Sequence, residues 1–122
     1  MGAIKRNIGF IRGDSHNYKM RIKMADGKFY VPQDTDNVYL TIKDTPNSPV
    51  ALQKYYPDGG ITFDEETAYF TIAFEPSDTE EMACKEYYYD IELHQNIGGL
   101  TKTLMKGSFN LYTEITTTGD YI

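Results

Sequence analysis

Nucleophilic catalysis needs a nucleophile, a base within reach of it and a group that orients the base. The chain has two imidazoles, His16 and His94, and a single thiol, Cys84. Each histidine falls at the end of an alternating stretch among polar residues, which marks an exposed surface side chain rather than a base. Cys84 has no histidine beside it, and Lys85 alone does not make a reactive thiolate. An inert thiol, buried or half-buried, is expected. Asp64-Glu65-Glu66 could do acid–base work, but they fall in a turn with no recognisable pocket partner. Asp34, Asp36 and Asn37 in "DTDN" open like a calcium loop, and Val38 then stands where the next oxygen ligand is required. No Cys/His cluster offers itself to zinc, and Gly59-Gly60 and Gly98-Gly99 read as hairpin turns rather than phosphate loops. The expectation is no catalytic residue, no metal site and no cofactor: a protein that is not an enzyme.

Two other features could recognise a partner. Tyrosine is abundant, with eleven copies and no tryptophan, and clusters at Tyr55-Tyr56 and Tyr87-Tyr88-Tyr89. Alternation sends half of each cluster inward. Tyr39, Tyr88, Tyr112 and one of the 55/56 pair remain as outward rings that could contact a protein or a sugar. The second feature is Arg12-Gly13-Asp14-Ser15, which spells the tripeptide that integrin ligands display. Ile8 and Phe10 lie in one strand's inward phase and Tyr18 in the next strand's, so Arg12 to Asn17 reads as the connection between them. Gly13 supplies backbone freedom there, and Asp14 or Ser15 can hydrogen-bond the chain locally. A three-residue match is a weak adhesion signal, and the structural reading of Arg12, Gly13 and Asp14 is preferred.

The elements that must position these residues are strands, because period-two alternation dominates. "NYKMRIKM" sets Tyr18, Met20, Ile22 and Met24 against Lys19, Arg21 and Lys23. Asp26-Gly27 follows as a tight hairpin with both residues at positive φ, and "KFYV" returns until Pro32 removes a ladder donor. In "NVYLTIKD", Val38, Leu40 and Ile42 point in. "VALQKYY", "ITF" and "YFTIAFE" follow, the last with Phe70, Ile72 and Phe74 on one face. "PSDTEEMACK" has helical leanings for a single turn, with Ser77 or Asp78 as N-cap and Glu80 or Glu81 reaching back. "YYYDIEL" places Tyr87, Tyr89, Ile91 and Leu93 inward against Tyr88, Asp90 and Glu92. The closing strand carries Met105, Phe109, Leu111 and Ile115 in one phase, and Gly107 within it implies a bulge or a close backbone approach.

About seven to nine short strands with turn signals roughly every eight to twelve residues indicate an all-β, immunoglobulin-like antiparallel β-sandwich. It has no disulfide, and Asp78 through Tyr87 looks like the crossover where such folds place a tyrosine corner. Residues 1–116 form one domain and 117–122 a polar tail. At 122 residues the chain can bury an independent core. Net charge is −6, divided between residues 1–60 (nine basic, six acidic, +3) and 61–122 (three basic, twelve acidic, −9). An acidic chain argues against nucleic acid. No run is apolar enough to span a membrane, the N-terminus lacks a signal-peptide core, and Arg6 stands where myristoylation after Met1-Gly2 needs Ser or Thr. Synthesis in a reducing cytoplasm is the expectation, with the divided charge suited to contact with a partner or between copies of the chain.

"IRGDSHNYKMRIKMADGKFY", "VYLTIKD", "YYYDIEL" and "GGLTKTLMKGSFNLYTEIT" together resemble a family of small tailed-phage and prophage proteins. These carry the immunoglobulin-like domain found at the N-terminal end of upper baseplate proteins. The shared elements are a strand ending in Arg-Gly-Asp-Thr, a turn with Asp-Gly, a Tyr-Asp-Ile strand and a closing Gly-x-Phe strand. Here they are Arg12 to Ser15, Asp26-Gly27, Tyr89-Asp90-Ile91 and Gly107 through Thr116. Ser15 replaces the usual Thr, and Lys85 stands where a turn glycine commonly precedes the tyrosines. The resemblance implies a non-enzymatic structural protein of a phage or prophage tail or baseplate, synthesised in the bacterial cytoplasm and built into the virion. Its partners would be other tail or baseplate proteins or further copies of itself, with no nucleic acid and no membrane. The alternative is a carbohydrate-binding or host-surface adhesion module that uses its exposed tyrosines.

Overall fold

The alternation is realised as strands in two sheets in the computed structural model, which describes residues 3–121. Met1, Gly2 and Ile122, the ends of the expected domain and tail, lie outside the described residues. In chain order the strands are β1 (Ile4–Lys5), β2 (Ile8–Ile11), β3 (His16–Met20), β4 (Asp36–Lys43), β5 (Val50–Tyr56), β6 (Ile61–Asp64), β7 (Tyr69–Phe74), β8 (Glu86–Gln95) and β9 (Leu100–Tyr112). One helical turn, α1 (Pro76–Thr79), joins β7 to β8. The larger sheet runs β1-β9-β8-β4-β5, with β2 also paired to β9, and the smaller runs β3-β7-β6.

The expected all-antiparallel pairing needs one correction. β1 and β2 run parallel to β9, with Ile4 opposite Met105, Ile8 opposite Phe109 and Phe10 opposite Leu111. The physical reason is sequence distance. Only strands joined by a short hairpin are forced antiparallel, and β2 meets β9 from the far end of the chain.

One core fills the space between the sheets. Val38, Leu40, Ile42, Tyr87, Tyr89, Ile91, Leu93, Met105, Phe109 and Leu111 come from the larger sheet and Met20, Ile61, Phe70, Ile72 and Phe74 from the smaller. Contact across the gap is direct. The Phe10 and Phe74 rings meet edge-on at 4.7 Å between centroids, and Phe74 lies 6.1 Å from Phe109. Phe70 has no exposed surface and packs on Phe63 at 4.7 Å and Tyr56 at 5.6 Å. Truncating such a ring to Ala costs about 3–5 kcal/mol.

Two residues assigned to the inward phase are exposed. Met24 is left outside because β3 stops at Met20, although Ile22 still packs half-buried on the core. Ile115 is free because β9 ends at Tyr112. The turn after Met24 also differs. Gly27 alone takes positive φ (85°), and Gly27 N–H donates to Met24 O at 2.9 Å while Met24 N–H donates to Lys28 O at 2.8 Å. This is a three-residue hairpin with glycine in the left-handed position. In α1 the N-cap is Glu75 rather than Ser77 or Asp78, because Pro76 is pre-set for the first helical position. Asp78 instead reaches back, accepting from Glu75 N–H at 2.8 Å.

Gly107 resolves to a close approach. A Cβ there would sit 2.1 Å from the Arg6 carbonyl oxygen. The irregular register lies a few residues earlier, between Ile91 and Glu92, where Leu104 of β9 has no partner. At the other edge, Lys54 of β5 reaches Asp78 of α1 at 2.7 Å, with the two side chains 13% and 16% exposed. The edge strand is thereby tied to the crossover.

Candidate functional site

The outward face of the larger sheet is built from the polar phase of four adjacent strands, β5, β4, β8 and β9. Side chains directly opposite on neighbouring strands share a face, so the registers fix which groups meet. Thr41 of β4 lies opposite both Gln53 of β5 and Asp90 of β8, and Asp90 lies opposite Lys106 of β9. One step along the strands, Tyr39 lies opposite Tyr55 and Glu92; one step the other way, Lys43 lies opposite Tyr88, and Tyr88 opposite Ser108. These rows line a hollow of about 950 Å³ whose rim includes Lys5 and His94.

Tyr88 is 52% exposed and stands up from the surface. Tyr39 is half-buried, since the Tyr55 ring leans on it at 6.3 Å and 41°. Asp90 lies between the Tyr88 and Tyr39 rows, Glu92 is level with Tyr39 and His94 lies one step beyond it, all three half-buried. His94 therefore departs from the expected exposed surface position: strands lie on both sides of it, with Asn37 and Thr101 as its neighbours. Burial raises the Asp90 carboxyl above its ordinary value, and Lys43 opposes part of that shift. The ion pairs among the described residues, Arg12–Glu114, Lys54–Asp78 and Lys85–Asp44, leave Asp90, Glu92, Lys43 and Lys106 uncommitted. Gln53 donates to Thr41 Oγ1 at 3.0 Å.

Tyr112 does not join this group. It belongs to the far end of β9, 57% exposed, with its ring edge over Gly9 of β2. Of the outward tyrosines read from sequence, Tyr39 and Tyr88 line the hollow, Tyr55 is the exposed member of the 55/56 pair while Tyr56 packs on the core, and Tyr112 lies off the hollow.

The Arg12-Gly13-Asp14 segment is drawn into the fold. It carries the chain from β2 in one sheet to β3 in the other, and His16 and Asn17 already belong to β3. The Arg12 guanidinium donates to both carboxylate oxygens of Glu114, at 2.7 Å from Nη2 and 3.1 and 3.2 Å from Nε, and to Met82 O at 3.2 Å. That bidentate contact holds the Glu114 carboxyl below its ordinary value. Gly13, at φ 80°, donates its N–H to Thr79 Oγ1 at 2.8 Å, and Asp14 N–H closes a turn to Ile11 O at 3.2 Å. Asp14 itself is exposed. The basic half of the tripeptide is thus held against α1 and the segment after β9.

The remaining reactive groups are dispersed. His16 is exposed and tilts over Phe10 at 4.3 Å, and Cys84 is half-buried. Asp36, only 1% exposed, accepts from the Tyr30 hydroxyl and from Gln33 N–H at 2.9 Å, so the "DTDN" carboxylate is occupied within the fold. Asp64 caps its own turn, accepting from Glu66 N–H at 2.9 Å. Among the described residues no three His, Cys, Asp or Glu side chains gather as metal ligands. No helix there is long and apolar enough to cross a membrane.

What sequence reasoning missed was the company that Tyr39 and Tyr88 keep. Lys43, Asp90, Glu92 and His94 share their phase, a signal already present in the alternation. Compared with known proteins, the chain matches no protein-family model and no curated protein sequence.

Proposed function

We propose that the chain is an immunoglobulin-like β-sandwich acting as a non-enzymatic structural component of a phage or prophage tail or baseplate. It works by protein–protein contact in virion assembly. The tail role rests on the resemblance of the sequence motifs, and the observation that supports the immunoglobulin-like fold it implies is the strand order. If β1 and β2 count as one broken strand A, the others follow as B, C, C′, D, E, F and G. Strands B, E and D then form the smaller sheet and C′, C, F and G the larger, as in immunoglobulin sandwiches, while the broken strand A pairs with G rather than with B. A second detail supports it. Tyr87, at the start of β8, donates its hydroxyl to Ala83 O at 2.7 Å, the bond of a tyrosine corner on strand F. Both agree with the fold that the resemblance to baseplate domains implies.

Assembly contacts have surfaces to use. β5 borders the larger sheet and β3 and β6 border the smaller, and unpaired backbone groups on such edges accept a partner strand. The partners are other tail or baseplate proteins, or a second copy of the chain. The test is co-expression with the tail proteins encoded beside it, followed by affinity capture and gel filtration. The expected result is a stoichiometric complex with at least one of them; failure to bind any removes the docking role.

A further inference from the structure

We propose that the hollow on the outer face of the larger sheet binds a neutral oligosaccharide, seated between the Tyr39 and Tyr88 rings with its hydroxyls on Asp90, Glu92, Lys43 and Lys106. The reading goes beyond tail docking and does not depend on it, since the ligand is a glycan and the site is complete within one chain.

The size comes first. About 950 Å³ lies at the upper end of the roughly 300–1,000 Å³ typical of small-molecule sites. The two rings are set apart along the strands, because Tyr39 lies opposite Glu92 while Tyr88 lies four residues earlier on β8. At about 3.3 Å per residue their backbone positions are roughly 13 Å apart along the strands, the span of a short oligosaccharide rather than of one sugar. Each ring offers an apolar face with a polar tip, which suits the C–H faces and rim hydroxyls of pyranoses.

Charge then selects among ligands. Lys43 and Lys106 interleave with Asp90 and Glu92 across adjacent strands, so a ligand of either sign would meet a like charge. A hydroxyl both donates and accepts, and so can use carboxylate acceptors and ammonium donors together. Asp90 is half-buried and lacks an ion-pair partner among the described residues. An acceptor withdrawn from water in this way forms stronger bonds with a donor that reaches it. A protein epitope suits the same hollow less well, because interface centres are depleted in charged residues and here the centre is charged.

The test uses the purified chain alone. It is screened on an array carrying neutral, anionic and amino-sugar oligosaccharides, and the strongest neutral hit is then titrated by calorimetry. The expected result is saturable binding to a neutral oligosaccharide that weakens about tenfold or more in Tyr88→Ala and in Asp90→Asn. Tyr112→Ala, off the hollow, leaves it unchanged. Melting temperatures matching the parent's confirm that the surface variants fold, and Tyr39→Ala gives an independent reading of the second ring. No neutral hit, a preference for anionic or cationic glycans, or binding that survives Tyr88→Ala and Asp90→Asn overturns the proposal. So does a tail protein that binds the hollow and loses affinity in the same variants while no glycan binds.

Discussion

Gly107→Ala should unfasten the first strand from the last. Gly107 lies mid-way along β9, and a Cβ there would meet Arg6 O at 2.1 Å, Arg6 C at 2.8 Å and Asn7 Oδ1 at 3.1 Å. The obstacle is mostly backbone, which cannot rotate aside as a side chain can, so the break between β1 and β2 must move. That movement pulls on three hydrogen bonds: Arg6 N–H to Lys106 O at 3.0 Å, Ser108 N–H to Asn7 Oδ1 at 3.1 Å, and the Tyr89 hydroxyl to Arg6 O at 2.6 Å. At about 1 kcal/mol each, losing them costs about 3 kcal/mol, within the range for overpacking a tight contact. For a chain of 122 residues that lowers the melting temperature by roughly 12 °C. Thermal unfolding followed by circular dichroism measures the shift. Hydrogen exchange should show faster exchange at the Arg6 and Ser108 amides. Gly119→Ala is the control, since a Cβ there meets nothing within 4 Å. A Gly107→Ala variant melting within about 2 °C of the parent, with these amides still protected, would refute the reasoning.

Burial pushes the Tyr89 phenol up to about 12 and raises those of Tyr30 and Tyr87. The unfolded chain therefore releases these protons first, and stability holds below pH about 10 and falls as pH rises toward 12. Urea unfolding from pH 8 to 11.5, with phenolate absorbance alongside, should show that decline; flat stability across the range contradicts it. Arg12→Ala should lower the melting temperature, because it strips Glu114 and Met82 O of their donor, whereas Asp14→Ala at an exposed position should not. Cells bearing Arg-Gly-Asp-dependent integrins should not adhere to the immobilised protein, and specific adhesion would overturn the structural reading of that loop. Asp36→Ala leaves the Tyr30 hydroxyl and Gln33 N–H without their acceptor and should cost about 1–3 kcal/mol or more. Chemical denaturation reads that loss, and a change below about 0.5 kcal/mol would mean that water replaces the carboxylate.

Alternation made the inward phases of β4, β7 and β8 legible, because a half-buried strand must place one apolar residue in every two. Met24 and Ile115 failed for the converse reason: the pattern continues past the last ladder bond, and nothing local marks where pairing stops. Parallel pairing of β2 with β9 was illegible, since alternation carries no information about a strand's partner or its direction. The site divides similarly. The outward settings of Tyr39 and Tyr88 followed from their phase, and Lys43, Asp90, Glu92 and His94 share it. That β4, β8 and β9 lie side by side, gathering those groups into one hollow while leaving Tyr112 off it, depends on tertiary order. Arg12 shows the same limit, for its acceptor, Glu114, lies 102 residues away.

The claim that the chain is a structural part of a phage tail is tested most directly on the particles themselves. Tailed particles induced from the host should be purified, analysed by mass spectrometry and labelled with antibody against this chain for electron microscopy. The account predicts that the protein is present in fixed copy number and that the label gathers at the tail or baseplate. Intact particles that lack the protein, while it accumulates free in the lysate, would contradict it.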